Sequence, residues 1–254
     1  MTVPEPPSAS ADSRHAMSAR DKWRTLIAES FERRPKRIDD PGLHYWDYIE
    51  GLPNVLIYGD SISIDYSETV RRQLMGEANV IRLPANGNHS GKIIENMIRM
   101  QASMSDLALS DPWRFEWDFI HFNAGLHDLK YVASGKLDKR NGTQVNSIED
   151  YVRNLTDAIA YFQQTAPNAQ LIFATTTPVP EGEPGRFVED AVLYNEAATA
   201  LMREVGIPVN DLYSFTLPAL DSWIIDQGNV HYKEEASHAQ GVEIARFIRT
   251  RMSE

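Results

Sequence analysis

The chain has 254 residues, of which 42% are hydrophobic and 24% charged, a composition typical of one globular domain with a large core. Its 25 Lys and Arg against 36 Asp and Glu give a formal net charge of -11, which argues against a nucleic-acid partner and favours a neutral or cationic small substrate. Because the chain has no cysteine, disulfides, thiolate metal sites and a cysteine nucleophile are excluded.

The N-terminal region is predicted to contain a tail and a helix. Residues 1–16 are polar and proline-rich, so we expect a flexible tail without a secretory leader and a cytoplasmic protein. Apolar residues at helical spacing from Met17 to about Arg34 predict one amphipathic helix, which packs on the body or on a second subunit of a homo-oligomer. We predict a helical extension over residues 17–51, followed by one domain over residues 52–254. No stretch approaches the roughly 18 apolar residues that span a bilayer, so no membrane partner is expected.

After Gly51, short apolar runs alternate with longer helical patterns, as in a parallel sheet built from βαβ units. The predicted strands cover residues 54–58, 79–83, 118–122, 170–175 and 207–209. The predicted helices cover residues 67–75, 92–107, 148–164, 188–205 and 234–251. These elements predict a three-layer αβα sandwich with a five-stranded parallel sheet. Ligands in such folds bind beyond the carboxyl ends of the strands.

A serine and a histidine are placed to meet at that edge. Ser61 follows the first predicted strand in the run Gly59-Asp60-Ser61, and His231 lies in a loop before the last helix. A serine hydroxyl becomes a nucleophile when a base lies within hydrogen-bond reach. The order of the elements therefore allows Ser61 and His231 to act together.

Two further loops offer donors for an oxyanion. After the second strand, Gly87 follows Asn86 and lets the backbone approach a ligand closely. After the third strand, Asn123 and His127 lie in one short segment with an amide and an imidazole side chain. Acyl transfer needs donors of this kind, each worth about 3 kcal/mol or more in a dry site.

Together, these four segments resemble the blocks of the SGNH (GDSL) hydrolase superfamily, from about Leu52 to the C-terminus. The resemblance implies a flavodoxin-like SGNH hydrolase fold. It also implies that Ser61 is the nucleophile, that His231 is the general base, and that the Ser61 and Gly87 N–H groups are oxyanion donors. The third block, which reads Gly-Leu-His-Asp here, is similar to that of a bacterial subgroup.

The sequence departs from the family pattern at two places. In the third block, a histidine takes the place of the family's asparagine, so either His127 or Asn123 is the third oxyanion donor. In the last block, Gly228 stands three residues before His231, where the family has its triad acid, so the identity of the acid is open. Asp226 is the favoured acid, while Asn229 or a backbone carbonyl would instead leave a Ser-His dyad.

Other polar residues near these blocks are assigned to the substrate or to the surface. We expect four to contribute to substrate binding: Asp60, Asn86, Asp128 and Thr177. Arg186 is interpreted as a solvated surface residue rather than a ligand for a substrate carboxylate. No metal is expected at His89, His121, His127 and Asp128, because no pair has i, i+4 spacing on a predicted helix. Serine hydrolysis needs neither metal nor cofactor.

The sequence therefore predicts a serine esterase for a small-molecule ester with a short acyl group, first of all acetyl, as in carbohydrate O-deacetylation. The alternative prediction is a catalytically weakened SGNH domain that binds a glycan or a protein partner. The missing carboxylate at position 228 motivates that alternative.

Overall fold

A central parallel sheet organises the molecule, whose computed structural model describes residues 16–254. Its five strands are β1 (Asn54–Tyr58), β2 (Asn79–Arg82), β3 (Phe119–Phe122), β7 (Gln170–Ala174) and β8 (Val209–Asn210). The strand order β2-β1-β3-β7-β8 is that of flavodoxin-like sheets. The predicted five-stranded parallel sheet is confirmed.

Helices cover both faces of this sheet. The long helices are α1 (Ala19–Ser30), α2 (Ser61–Gln73), α3 (Ile93–Met104), α4 (Ile148–Thr165), α5 (Val188–Glu204) and α8 (Glu234–Met252), with the short α6 (Leu212–Thr216) and α7 (Leu220–Trp223) before α8. Helix α2 packs on α8, whereas α4 packs on α3 and α5. Right-handed crossovers explain this division, since the chain reverses direction across the sheet after β2. The αβα sandwich is therefore also confirmed.

The central strands are buried on both faces, which accounts for their continuous apolar runs. Residues 55–58 of β1 have no exposed surface. β1 pairs with β2 on one side and with β3 on the other, so that Tyr58 and Phe122 end side by side. This register brings the loops that follow β1 and β3 to one edge of the sheet.

The N-terminal helix belongs to the same core. Helix α1 packs on α3, and the buried Trp23 donates from its indole Nε1 to the carbonyl of Leu43 at 2.8 Å. Its apolar stripe is therefore covered by the chain's own body. Of the predicted tail, residues 1–15 lie outside the described residues. Within residues 16–254, the structure contains no helix with the length and apolar character needed to cross a membrane.

A second, antiparallel sheet follows the third block, where the sequence showed no strand pattern. It consists of β4 (Tyr131–Ala133), β5 (Lys136–Leu137) and β6 (Thr143–Gln144), in the order β5-β4-β6. We call residues 131–144 the flap. The flap docks on the loop before α5, where Tyr131 N–H donates to Gly185 C=O at 2.7 Å and Lys139 N–H to Pro184 C=O at 2.9 Å.

Candidate active site

Ser61 lies at the junction between a buried strand and a helix. β1 ends at Tyr58, two residues turn the chain, and Ser61 is the first residue of α2. Asp60 caps the helix, since its carboxylate accepts from the Ile62 N–H at 3.0 Å. The N–H of Ser61 has no acceptor within the helix, because the first N–H groups of a helix lack an i−4 carbonyl. The junction thus presents a hydroxyl and a free backbone donor together.

A buried arginine that the sequence analysis missed donates hydrogen bonds to the backbone of this junction. Arg82 ends β2 and is fully buried, and its guanidinium donates to the carbonyls of Gly59 (2.8 Å) and Asp60 (3.0 Å). It also donates to the carbonyls of Leu83 and Ala85 in the next loop. Burial lowers the pKa of Arg82 to about 9. The only signal in the sequence was a charged residue inside an apolar strand run.

His231 is presented to Ser61 by a short hairpin. Ile224 and Tyr232 form an antiparallel bridge, and Ile225 N–H donates to His231 C=O at 3.0 Å. The distance between Ser61 Oγ and His231 Nε2 is 2.9 Å. Burial lowers the pKa of His231, so the imidazole is neutral at pH 7 and can accept a proton. The structure thus brings the predicted nucleophile and the predicted base into hydrogen-bond contact.

Asn229, rather than Asp226, orients the imidazole. Asn229 Oδ1 lies 2.9 Å from His231 Nδ1 and also accepts from the His231 backbone N–H at 3.0 Å. Because a backbone N–H can only donate, the amide atom facing it is the oxygen, and Nδ1 must therefore carry the ring proton. That tautomer leaves Nε2 as the acceptor for the Ser61 hydroxyl. Asp226 lies at the exposed tip of the hairpin and makes no hydrogen bond to His231.

The backbone explains why position 228 lacks the family's carboxylate. Gly228 has φ +74°, in the left-handed region that disfavours side chains. A Cβ at this position would lie 2.7 Å from the carbonyl oxygen of Gly182. An aspartate there would strain the turn and collide with the neighbouring loop. The hairpin has instead an amide one residue later, at Asn229.

Two of the predicted oxyanion donors are engaged elsewhere. The Gly87 N–H donates to the carbonyl of Gly59 at 2.9 Å, and a Cβ at Gly87 would lie 2.5 Å from that oxygen. Gly87 is thus needed for close packing of its loop on the β1 turn. The Asn123 amide is buried and donates to the carbonyl of Ala174 at 2.8 Å. Neither residue lines the cavity that contains Ser61.

His127 lines that cavity and has a defined proton position. Lys130 Nζ lies 3.0 Å from His127 Nδ1. Because an ammonium only donates, Nδ1 must accept and the ring proton lies on Nε2. Burial holds the pKa of His127 well below its usual value, so the ring is neutral at pH 7. Of the two alternatives for the third block, His127 is the one that lines the cavity.

The cavity has a volume of about 620 Å³ and a largely polar lining. Ser61, His231 and Asn229 line it together with the flap residues Val132 and Leu137. The remaining lining residues come from several loops: Arg34, Asp60, Asn86, Leu126, His127, Lys130, Gly135, Glu183, Pro184, Arg186, Asp226, Gln227, Gly228 and Val230. The flap makes this a pocket rather than an open sheet edge.

The four residues assigned to the substrate divide into two groups. Asp60 and Asn86 line the cavity, Asp60 as a buried helix cap whose pKa is raised by burial. Asp128 and Thr177 do not line it. Asp128 is fully buried and accepts from the Ser90 N–H (3.0 Å) and from Asn146 Nδ2 (2.6 Å), so it joins loops instead of binding substrate. Thr177 is buried as well.

The interpretation of Arg186 as a solvated surface residue is wrong. Its side chain is only 6% exposed, pairs with Glu183 at 2.5 Å, and donates from Nε to the carbonyl of Leu126 at 2.7 Å. The buried His121, whose pKa burial lowers to about 4, lies in β3 and does not line the cavity. In residues 16–254, no group of three or more His, Asp or Glu side chains is arranged to hold a metal ion.

Comparison with known proteins identifies the fold. No protein-family model and no curated protein matches the chain. Among solved structures, a lipase/acylhydrolase from Enterococcus faecalis matches with a TM-score of 0.60 at 16% identity, over 79% of this chain and 97% of that one. The acetyl xylan esterase AlAXEase matches with a TM-score of 0.58 at 15% identity, over 77% and 99%.

A protein from Slackia heliotrinireducens assigned to the SGNH hydrolases matches with a TM-score of 0.56 at 17% identity, over 78% of this chain and 100% of that one. Identities this low establish a common fold rather than a common activity. The chain has the SGNH hydrolase fold, and the resemblance seen in the sequence is confirmed at that level.

Proposed function

We propose that this chain, which has the SGNH hydrolase fold, is a serine esterase that forms an acyl-enzyme on Ser61. The observation that carries the proposal is the 2.9 Å contact between Ser61 Oγ and His231 Nε2 inside a pocket at the carboxyl edge of the sheet. A nucleophile, its base and an orienting group in contact are the features that define serine hydrolases on unrelated folds.

In the first half-reaction, Ser61 Oγ attacks the acyl carbon while its proton passes to His231 Nε2. The carbonyl π electrons move to the oxygen, which becomes an oxyanion in the tetrahedral intermediate. When the intermediate collapses, the bond to the alcohol oxygen breaks and His231 gives the proton to the departing alcohol. Water then attacks the acyl-enzyme with His231 as base, and the acid and free Ser61 are released.

Two donors are assigned to the oxyanion. The Ser61 N–H is free at the start of α2, where the helix dipole also favours negative charge. The His127 Nε2–H is the second donor, with its tautomer set by Lys130 on the opposite nitrogen. A neutral imidazole whose proton points at the oxyanion replaces the amide of the family's third block.

Asn229 is assigned the place of the triad acid, without its charge. Its amide oxygen holds the imidazole in the tautomer that accepts from Ser61. An amide stabilises the imidazolium of the transition state less than a carboxylate does. The enzyme is therefore expected to be slower than one with a complete triad. The alternative, a weakened domain that binds a glycan or partner, relies on the same absence of a triad carboxylate. It does not account for the Ser61–His231 contact.

We assign the substrate as an ester with a short acyl group, first of all an acetyl group on a carbohydrate. The mainly polar lining of the pocket supports a short acyl group, since only a few apolar side chains such as Val132 and Leu137 face it. An acetyl xylan esterase is among the proteins with a similar fold, which supports a carbohydrate alcohol.

A series of 4-nitrophenyl esters tests this assignment. We expect kcat/KM to be highest for the acetate or butyrate and to fall by about tenfold or more by the octanoate, because the pocket has too few apolar side chains to cover the added methylenes. Rates of spontaneous hydrolysis are subtracted for each ester. A kcat/KM that rises steadily with chain length would instead indicate a lipase-like acyl site.

A further inference from the structure

The wall of the pocket carries more positive charge than the chain as a whole would suggest. Three basic side chains line it: Arg34 from the segment after α1, Lys130 before the flap, and Arg186 from the loop before α5. The whole chain has a formal net charge of -11. Three acidic residues also line the pocket, so the acidic excess of the whole chain is absent at the site where a substrate would bind.

Arg186 has a donor to spare. Its Nε and Nη1 atoms are held by the Leu126 carbonyl and by Glu183, whereas Nη2 makes no hydrogen bond within residues 16–254. The second carboxylate oxygen of Glu183 is occupied as well, since it accepts from the Gly185 N–H at 2.6 Å. Nη2 is not among the enclosed polar atoms that lack a partner, and Arg186 lines the pocket, so this group can donate to a ligand oxygen there.

The other two cations have no carboxylate partner within residues 16–254. Lys130 contacts the neutral ring of His127, and its remaining ammonium protons are free. Arg34 is exposed at the rim of the pocket and makes no ion pair there. Burial, reinforced by the charge of Arg186, lowers the pKa of Lys130, as expected for a cation beside another cation.

The acidic residues of the pocket leave its cationic groups available to a ligand. Glu183 balances the charge of Arg186 but leaves the Nη2 group of Arg186 free to donate. Asp60 is buried beneath Ser61 as the cap of α2, and burial raises its pKa. Asp226 lies on the exposed tip of the hairpin, where solvent screens it. The unpaired cationic groups of the wall are therefore Lys130 and, at the exposed rim, Arg34, together with the free Nη2 donor of Arg186.

We propose that the pocket selects esters whose alcohol part carries a carboxylate, bound by Arg186 and Arg34. The inference deepens the proposed function and rests on it. The anion belongs on the alcohol because an acetyl group is too small to carry one. The neutral or cationic substrate expected from net charge is replaced by an anionic one, because the local charges decide what binds.

Three acetyl esters of similar shape test the proposal: phenyl acetate (neutral), 3-acetoxybenzoate (anionic) and 3-acetoxy-N,N,N-trimethylanilinium (cationic). Each kcat/KM is divided by the hydroxide-catalysed rate of the same ester, which removes differences in leaving-group reactivity. We expect the normalised value to be about tenfold higher for the anionic than for the neutral ester at low salt, and lowest for the cationic ester. Added NaCl should reduce the anionic preference.

Substitutions locate the effect. Arg34→Gln, and separately the charge-matched pair Arg186→Met with Glu183→Gln, should each reduce the anionic-to-neutral ratio by about fivefold or more. Arg33→Gln is the matched control, because Arg33 is an exposed neighbour that does not line the pocket. An anionic-to-neutral ratio of one or less in the wild type overturns the inference, and so does a ratio that neither substitution changes. Either result leaves the esterase proposal intact.

Failure of the proposed function gives a different result. If none of the three esters is hydrolysed, binding of 3-acetoxybenzoate to the wild type is measured by calorimetry. Binding that Arg34→Gln weakens and Arg33→Gln does not would uphold the anion site without the esterase. Absence of binding overturns both.

Discussion

Replacing Ser61 by alanine is expected to lower kcat for a short acetyl ester by about 10⁵- to 10⁶-fold, and His231→Ala by a similar factor. The two side chains are 2.9 Å apart and act as one unit, so the loss of either removes the activated nucleophile. The kcat of the double variant should lie within a few-fold of the kcat of each single variant. Steady-state rates of all three proteins with one ester test this non-additivity.

Two matched variants control for nonspecific damage. Ser222→Ala and His238→Ala change the same residue types at exposed positions that do not line the pocket. Both should keep wild-type rates, and circular dichroism should show all variants folded. Independent, additive effects of Ser61→Ala and His231→Ala would contradict a Ser61–His231 unit.

The second large effect concerns Asn229. Asn229→Ala is expected to lower kcat by about 10²- to 10⁴-fold, because the imidazole then loses the acceptor that fixes its tautomer. Asn229→Asp should instead raise kcat above that of the wild type by about tenfold, since a carboxylate stabilises the imidazolium of the transition state better than an amide. The kcat values of the two variants, measured side by side, separate orientation from charge.

The same pair predicts a change in pH dependence. In the wild type, burial lowers the pKa of His231, so the base stays neutral and kcat/KM stays high to below pH 6.5. The carboxylate of Asn229→Asp favours the charged imidazole and raises that pKa, which moves the acidic limb of the profile to higher pH. A limb that does not move would show that residue 229 does not face the base.

Asp226→Ala serves as the control for this position. Asp226 lies in the same hairpin and was favoured from the sequence, but its carboxylate makes no hydrogen bond to His231. Its loss should change kcat by less than about threefold, the range of an exposed charge in screened surroundings. A drop as large as that of Asn229→Ala would restore Asp226 as the triad acid.

The parallel sheet could be predicted because its strands are buried on both faces. β1 reads Asn-Val-Leu-Ile-Tyr, is bounded by turn residues, and is found at residues 54–58 as expected. α2 was predicted to begin at residue 67 but begins at Ser61, because its first turn reads Ser-Ile-Ser-Ile and alternates polar and apolar residues instead of following helical spacing. The flap escaped prediction for a related reason: strands of two or three partly exposed residues carry no apolar alternation.

The sequence predicted which types of residue form the candidate site, but it did not predict all of their contacts. The positions of Ser61 and His231 follow from the order of blocks, since loops after parallel strands meet at one edge. The role of Asn229 depends on hairpin geometry and on the left-handed φ of Gly228, neither of which spacing reveals. The burial of Arg186 likewise depends on the flap docking on its loop, which could not be foreseen without the flap.

The central claim is that Ser61 is an activated nucleophile, and covalent labelling tests it most directly. The wild-type protein is treated with a fluorophosphonate, and the modified residue is located by peptide mass spectrometry. The account predicts stoichiometric labelling of Ser61 that falls by orders of magnitude in His231→Ala, because the hydroxyl then lacks its base. An unlabelled Ser61 in folded wild-type protein, or a label on another residue, would contradict the claim and favour a binding domain.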